Sequence, residues 1–220
     1  MTFDPGPATR PGLVLFDLDG TLTDPAEGIV RSLEMALATI GRSLPAEPFD
    51  LIGPPFQDSL AELGLDHAAI ETVLAAYRTR YREVGMFENR VYDGVPDMLA
   101  TLVDRGCVLA LATSKPEAFA EPILEHFGIR HHFRVVAGAT LSGSRRLKAD
   151  VIAHALGQLP ALARQAAVMV GDRYHDVAGA AAYRLPTIGV TWGYGTRAEL
   201  EAAGAWRIAE TPAAVAAVIG

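Results

Sequence analysis

The chain has 220 residues, half of them hydrophobic, with a formal net charge of -7 and a pI near 5.3. That length holds one core domain with a modest insert. The acidic balance counts against a nucleic-acid binder, which neutralises phosphates with a basic patch. The single cysteine, Cys107, sits in an apolar run and excludes a disulfide framework.

Pro5, Gly6, Pro7 and Pro11 make residues 1–11 read as a loose tail outside the fold. Leu13-Val14-Leu15-Phe16 is a short, continuous apolar run that breaks into Asp17-Leu18-Asp19-Gly20-Thr21, the pattern of a central parallel strand emptying into a polar loop. Helices are expected next rather than a second strand. Asp24-Pro25-Ala26-Glu27 supplies an acidic cap and a proline at a helix start, and Ile29, Leu33, Leu37 and Ile40 follow at helical spacing. A second helix is expected from about Asp66 to Gly85, with Ile70, Val73, Leu74, Tyr77 and Tyr81 on one stripe, a stripe read as core rather than as a substrate platform.

After Asp93-Gly94 the pattern alternates. Helix 96–105 leads to strand 107–112, helix 117–127 to strand 133–137, helix 149–156 to strand 166–171, and helix 176–182 to strand 187–191. Trp206-Arg207-Ile208 and the Thr211-Pro212 capped segment add an edge strand and a closing helix. Such alternation predicts an α/β fold, a doubly wound, Rossmann-like parallel sheet with an inserted all-helical module. The boundaries are a tail at 1–11, a core at 12–23 and 94–220, and the helical insert at 24–93. No apolar stretch reaches the roughly eighteen residues that cross a bilayer, and the N-terminus lacks a charged-then-apolar leader, so a cytoplasmic protein with no membrane partner is expected.

Ligands of such sheets bind beyond the carboxyl ends of the strands. There the first strand delivers Asp17, the second Thr113-Ser114-Lys115, and the fourth Gly171-Asp172 with Asp176 a turn later, while Lys148 opens the helix before the fourth strand. Of 19 basic residues 17 are arginine, and the only lysines are Lys115 and Lys148. Phosphate monoester hydrolysis requires a barrier reduction of about 20 kcal/mol. A carboxylate nucleophile, a divalent cation and a neighbouring acid together could supply it, and these residues are the parts needed.

Asp17-Leu18-Asp19-Gly20-Thr21-Leu22, Thr113-Ser114-Lys115, Lys148 and Gly171-Asp172-Arg173-Tyr174-His175-Asp176 resemble, in order, the four motifs of the haloacid dehalogenase-like hydrolases. The resemblance covers the chain from about residue 12 to its end. It implies that Asp17 attacks phosphorus, that Asp19 serves as general acid and then base, and that Thr113 and Lys148 hold phosphoryl oxygens. It implies further that Gly20, Thr21 and Ser114 face the substrate, and that Asp17, Asp19 (through its carbonyl), Asp172 and Asp176 hold Mg²⁺. Lys115 only flanks the site in this reading, and His175 is a capping or supporting residue because magnesium prefers oxygen. The insert resembles the family's C1 cap, with hinges at Asp24 and Asn89 to Gly94, and Gly53-Pro54-Pro55 and Trp192-Gly193-Tyr194-Gly195 resemble segments of its phosphoglycolate phosphatase-like and 5′-nucleotidase-like members. The expected partner is therefore a small phosphorylated metabolite, handled by a monomer or homodimer. An aspartate at position 19 argues against dehalogenation, and the absence of lysine before residue 115 argues against a Schiff-base mechanism. A hexose phosphate mutase and a non-catalytic phosphate-binding module remain as alternatives.

Overall fold

Leu13–Phe16 form β1, and all four side chains are buried, because the strand has neighbours on both edges and helices on both faces. In the computed structural model, which describes residues 11–48, 56–162 and 166–220, β1 pairs in parallel with β4 (Val108–Pro116) on one side and β6 (Ala167–Gly171) on the other. Outside these lie β5 (Phe133–Ala139), β7 (Thr187–Val190) and β8 (Arg207–Ala209), giving the order β5-β4-β1-β6-β7-β8 with every pairing parallel. The chain order reverses between β1 and β6, which places a crevice at their carboxyl ends.

The period-two alternation of the strands divides the apolar side chains between two cores. Val14, Phe16, Leu109, Leu111, Val168 and Val170 face α4 (Val95–Asp104), α5 (Glu117–His126) and α9 (Pro212–Ile219). Leu13, Leu15, Ala110, Ala112 and Met169 face α6 (Lys148–Gln158) and α7 (Tyr174–Ala181). Each fully buried Leu or Phe contributes about 1.5–3 kcal/mol of transfer free energy. The doubly wound α/β sheet expected from the alternation is the one that forms. A short α8 (Arg197–Ala203) covers β7 and β8.

Between Asp24 and Arg90 the regular elements among the described residues are helical: α1 (Ala26–Ala38), α2 (Phe56–Glu62), α3 (His67–Arg80) and a π-helical turn at Tyr81–Gly85. Asp66 caps α3 by accepting from the Ala69 amide at 2.9 Å. Two departures from the sequence reading appear here. A second strand does precede the helices, for β2 (Thr23–Asp24) pairs antiparallel with β3 (Arg90–Val91) and ties the entry of the helical segment to its exit. Such two-residue strands carry no periodicity. The second departure is that β4 runs through Thr113, Ser114 and Lys115 instead of ending before them, with a register shift against β5 between Thr113 and Pro116. An irregularity of this kind bends a strand and re-aims its side chains. Most of the expected N-terminal tail and the Gly53-Pro54-Pro55 segment lie outside the described residues.

Candidate active site

Asp17 leaves β1 at the crevice, its amide donating to the Val170 carbonyl at 2.9 Å. The chain then turns sharply, since Gly20 has φ +82° and donates to the Thr23 carbonyl at 2.8 Å. Glycine is required here twice over. Positive φ disfavours other residues, and a Cβ would collide with the Asp172 carboxylate.

Asp172 follows β6 and is wholly buried. One of its oxygens accepts from the Thr21 hydroxyl at 3.1 Å and the other from the Tyr194 amide at 2.8 Å. Asp176, in the first turn of α7, accepts from the Arg173 amide at 3.1 Å. Asp17, Asp172 and Asp176 each bring an oxygen within 4.8 Å of the others. Lys148, the first residue of α6, places its ammonium 2.9 Å from Asp17 and 2.7 Å from Asp176, and donates to the Ala112 carbonyl at 3.1 Å.

The electrostatics of this cluster are those of a buried anionic excess. Burial, together with Asp176 and Asp17, pushes Asp172 well above the usual carboxylate range. Burial also raises Asp176 to about 6 against the pull of Lys148. Burial opposes the charge on Lys148, but Asp17 and Asp176 outweigh it and hold the ammonium above its ordinary value. Ionised together, three carboxylates against one ammonium would leave a double negative excess, which adds to burial in raising Asp172 and Asp176. A divalent cation would cancel it, and an all-oxygen donor set suits magnesium. These residues therefore fit a hard divalent metal.

Asp19 stands apart from that cluster. Its Oδ2 lies 2.7 Å from the Lys115 ammonium, while its Oδ1 is buried with no hydrogen-bond partner among the described residues. Burial raises its carboxyl, and Lys115 limits the rise. A cavity opens directly onto Asp17, Asp19, Thr113, Ser114 and Lys115. Its far wall is apolar and aromatic, formed by Phe56, Leu74, Tyr77 and Tyr81 of the helical segment with Phe119 of α5. Phe56 packs on Tyr77 with ring centroids 4.6 Å apart, and Tyr77 stacks on Tyr81 at 5.2 Å. The two cations at the rim are engaged: Arg78 donates to the Leu141 carbonyl at 3.2 Å, and Arg146 grips Asp58 at 2.6 Å.

The structure thus brings Asp17, Asp19, Thr113, Ser114, Lys148, Asp172 and Asp176 to one end of the sheet. Gly20 and Thr21 are there too, but they face Asp172 rather than the cavity. Sequence reasoning missed three features. Lys115, singled out by its rarity as a lysine but read as a flank of the site, is in direct contact with Asp19. Tyr77 and Tyr81 are core residues, as read, yet also wall the cavity. Finally, the Trp192-Gly193-Tyr194-Gly195 loop is a clamp: Trp192 donates to the Thr21 carbonyl at 3.0 Å, and Tyr194 holds Asp172 through its amide and Asp24 through its hydroxyl at 2.6 Å. His175 lies half-buried against Tyr174, outside the carboxylate cluster. Burial, with Arg173 and Lys148 nearby, lowers its pKa.

Residues 14–190 match the family model for haloacid dehalogenase-like hydrolases. The tyrosine-protein kinase PtkA of Mycobacterium tuberculosis is 50% identical over 191 residues, which are 86% of this chain but 65% of that protein, so the chain spans less than two thirds of this relative. A 5′-nucleotidase of Pseudomonas aeruginosa is 45% identical over 192 residues, 86% of each chain. The crystal structure of a predicted phosphatase from Clostridium acetobutylicum superposes with a TM-score of 0.90 at 39% identity, covering 96% of this chain and 99% of that one.

Proposed function

The chain belongs to the haloacid dehalogenase-like hydrolases, and from that premise we propose that it is a Mg²⁺-dependent phosphatase that cleaves small phosphate monoesters through an aspartyl-phosphate on Asp17. The observation that carries this reading is the meeting of an exposed-to-cavity Asp17 and Asp19 with a buried, ammonium-linked carboxylate cluster at the switch point of the sheet.

In the first step a carboxylate oxygen of Asp17 forms a bond to phosphorus as the bond from phosphorus to the leaving oxygen breaks. The departing electron pair takes a proton from Asp19, whose raised affinity for a proton suits a general acid. In the second step Asp19, now a carboxylate, accepts a proton from water. The water oxygen bonds to phosphorus, and the Asp17 carboxylate is released with inorganic phosphate. Lys148 and the Thr113 hydroxyl hold phosphoryl oxygens, and Ser114 borders the same space. Magnesium, held by Asp17, Asp172, Asp176 and the Asp19 carbonyl, would neutralise the phosphoryl group so that an anionic nucleophile can approach it.

Residues 24–93 act as a cap over this site, hinged at the β2 and β3 ladder, and keep bulk water from the acyl phosphate. The apolar aromatic wall, with both rim arginines engaged, favours a flat leaving group of the nucleoside 5′-monophosphate type over the small charged glycolate of phosphoglycolate. The kinase name borne by PtkA favours a second reading, transfer of the phosphoryl group to an acceptor other than water.

One assay separates these readings: phosphate release from nucleoside 5′-monophosphates, 2-phosphoglycolate and sugar phosphates, with Mg²⁺ or with chelator. We expect metal-dependent turnover ranking nucleotides first, and a fall of at least about 10³-fold in Asp17→Asn, since the covalent route is lost. Turnover that survives the substitution would exclude the aspartyl-phosphate. Phosphoryl loss without inorganic phosphate would favour transfer.

A further inference from the structure

Lys115 carries a pair of contacts that join two parts of the molecule. Its backbone belongs to β4, at the register shift, and its ammonium sits 2.7 Å from Asp19 Oδ2. The same ammonium donates to the Tyr81 hydroxyl at 2.7 Å and lies 4.6 Å over the Tyr81 ring. Tyr81 comes from the other side of the cavity, where it is the first residue of the π-helical turn, and only 1% of its surface is exposed.

That tyrosine is held rigidly. Its ring stacks on Tyr77 and meets Phe119 edge-on at 5.4 Å. The π turn behind it presses against α1 at Gly28, where any Cβ would collide with the Gly85 carbonyl. A π-helical turn widens the helix by one residue and re-aims the side chain at its start, and such turns recur at functional sites. Lysine at position 115, in a chain with one other lysine and 17 arginines, fits a site for a compact, tetrahedral donor that serves a carboxylate and a phenol at once.

We propose that Lys115 and Tyr81 are positioning residues for Asp19: the Tyr81 hydroxyl fixes the Lys115 ammonium, which anchors the Asp19 carboxyl through Oδ2 at the border of the cavity. The inference rests on the phosphatase reading. Because Tyr81 lies on the helical segment and Asp19 on the core, the acid is in place only when the two are seated together. In this arrangement both residues act through Asp19 rather than on the phosphoryl group.

The consequence is a loss that depends on the leaving group. An alkyl phosphate needs its departing oxygen protonated, whereas p-nitrophenolate leaves without a proton. The test is pre-steady-state release of the alcohol or phenol from an alkyl phosphate and from p-nitrophenyl phosphate, with Mg²⁺ present, so that hydrolysis of the aspartyl-phosphate does not enter. Tyr81→Phe keeps the ring and its stacking and removes only the hydroxyl. We expect the first-step rate on the alkyl ester to fall about tenfold, as for loss of one hydrogen bond to a charged group, with KM within about twofold and p-nitrophenyl phosphate nearly unaffected. Lys115→Met should deepen the same pattern to about 10²-fold, and in an Asp19→Asn background Tyr81→Phe should cost nothing further. Equal losses on both esters would reveal a merely structural role and overturn the proposal, as would an unchanged alkyl ester. Wild-type protein that releases neither leaving group would instead overturn the phosphatase reading on which this one stands.

Discussion

On the sheet side of the cavity, Asp17, Lys148, Asp172 and Asp176 come from the ends of β1 and β6 and the starts of α6 and α7; buried charge pairs at 2.7 to 2.9 Å lock Lys148 to Asp17 and Asp176, and hydrogen bonds from Thr21 and Tyr194 hold Asp172. On the helical side, Phe56, Tyr77 and Tyr81 present rings at centroid spacings of 4.6 and 5.2 Å, joined to the rest by a handful of polar contacts. The first wall works through electrostatics that burial amplifies, and every member depends on the others. The second works through dispersion and the exclusion of water, so its members can change one at a time. Apart from Tyr81, whose hydroxyl reaches Asp19 through Lys115, chemistry and selectivity are thereby separable. Damage to the first wall should abolish turnover of every ester, whereas damage to the second should re-rank them.

The sharpest attempt to break this contrast is Lys148→Met. It leaves Asp17 and Asp176 buried without their ammonium, and breaking a buried pair in this way costs about 3–5 kcal/mol. Urea unfolding of metal-free protein should show that loss. Added Mg²⁺ should recover part of it, because a cation bound only by the folded state stabilises that state. A midpoint unmoved by the substitution would mean that the carboxylates are not charged in the folded protein. Phe56→Ala is the matching change in the aromatic wall. Losing one ring contact costs about 0.5–1.5 kcal/mol. KM for nucleoside monophosphates should rise about five- to tenfold, while inhibition by inorganic phosphate stays as it was. Weakened phosphate inhibition would show that the walls are coupled after all.

The smallest effect belongs to the hinge between the walls. Burial would raise Asp24, but the Tyr194 hydroxyl and Arg90 outweigh it and hold the carboxyl below its ordinary value of 3.8. A depressed carboxyl contributes stability above its unfolded pKa and loses it as pH falls through the folded value. Tyr194→Phe should therefore cost about 1 kcal/mol at neutral pH, discounted for a partly exposed partner. The gap from wild type in thermal melting should persist down to about pH 5 and close below 3.8. A gap independent of pH would mean that Tyr194 acts there by packing alone.

Much of the sheet wall was legible in the sequence, because strand-end aspartates and a helix-start lysine depend on local pattern and on a topology that alternation dictates. Asp17 and Asp172 fall where the apolar runs stop, and Lys148 where a helix begins. What could not be read depends on contacts between distant segments. The β2 and β3 pairing joins residues 23–24 to 90–91 without a periodic signal. Tyr77 and Tyr81 obey the helical stripe of any core residue, and only the folded arrangement shows that the stripe also lines a cavity with residues of the sheet. The Tyr194 clamp lies 22 residues beyond Asp172, on a loop whose glycines announce a turn but not what it grips.

The central position of β1 also bears on how the protein is made. Its partners are residues 108–111 on one edge and 167–170 on the other, so the strand bearing Asp17 leaves the ribosome long before either exists. The helices of α1 and α3, by contrast, can fold from local contacts as they emerge. Long-range parallel pairing of this kind is slow, since loop closure must precede any reward. An unpaired apolar strand is also prone to aggregate while it waits. The nucleophile is synthesised before both strands that flank it, and its surroundings are complete only once β6 and the loop after β7 have been added, which makes the reactive centre a late product of folding.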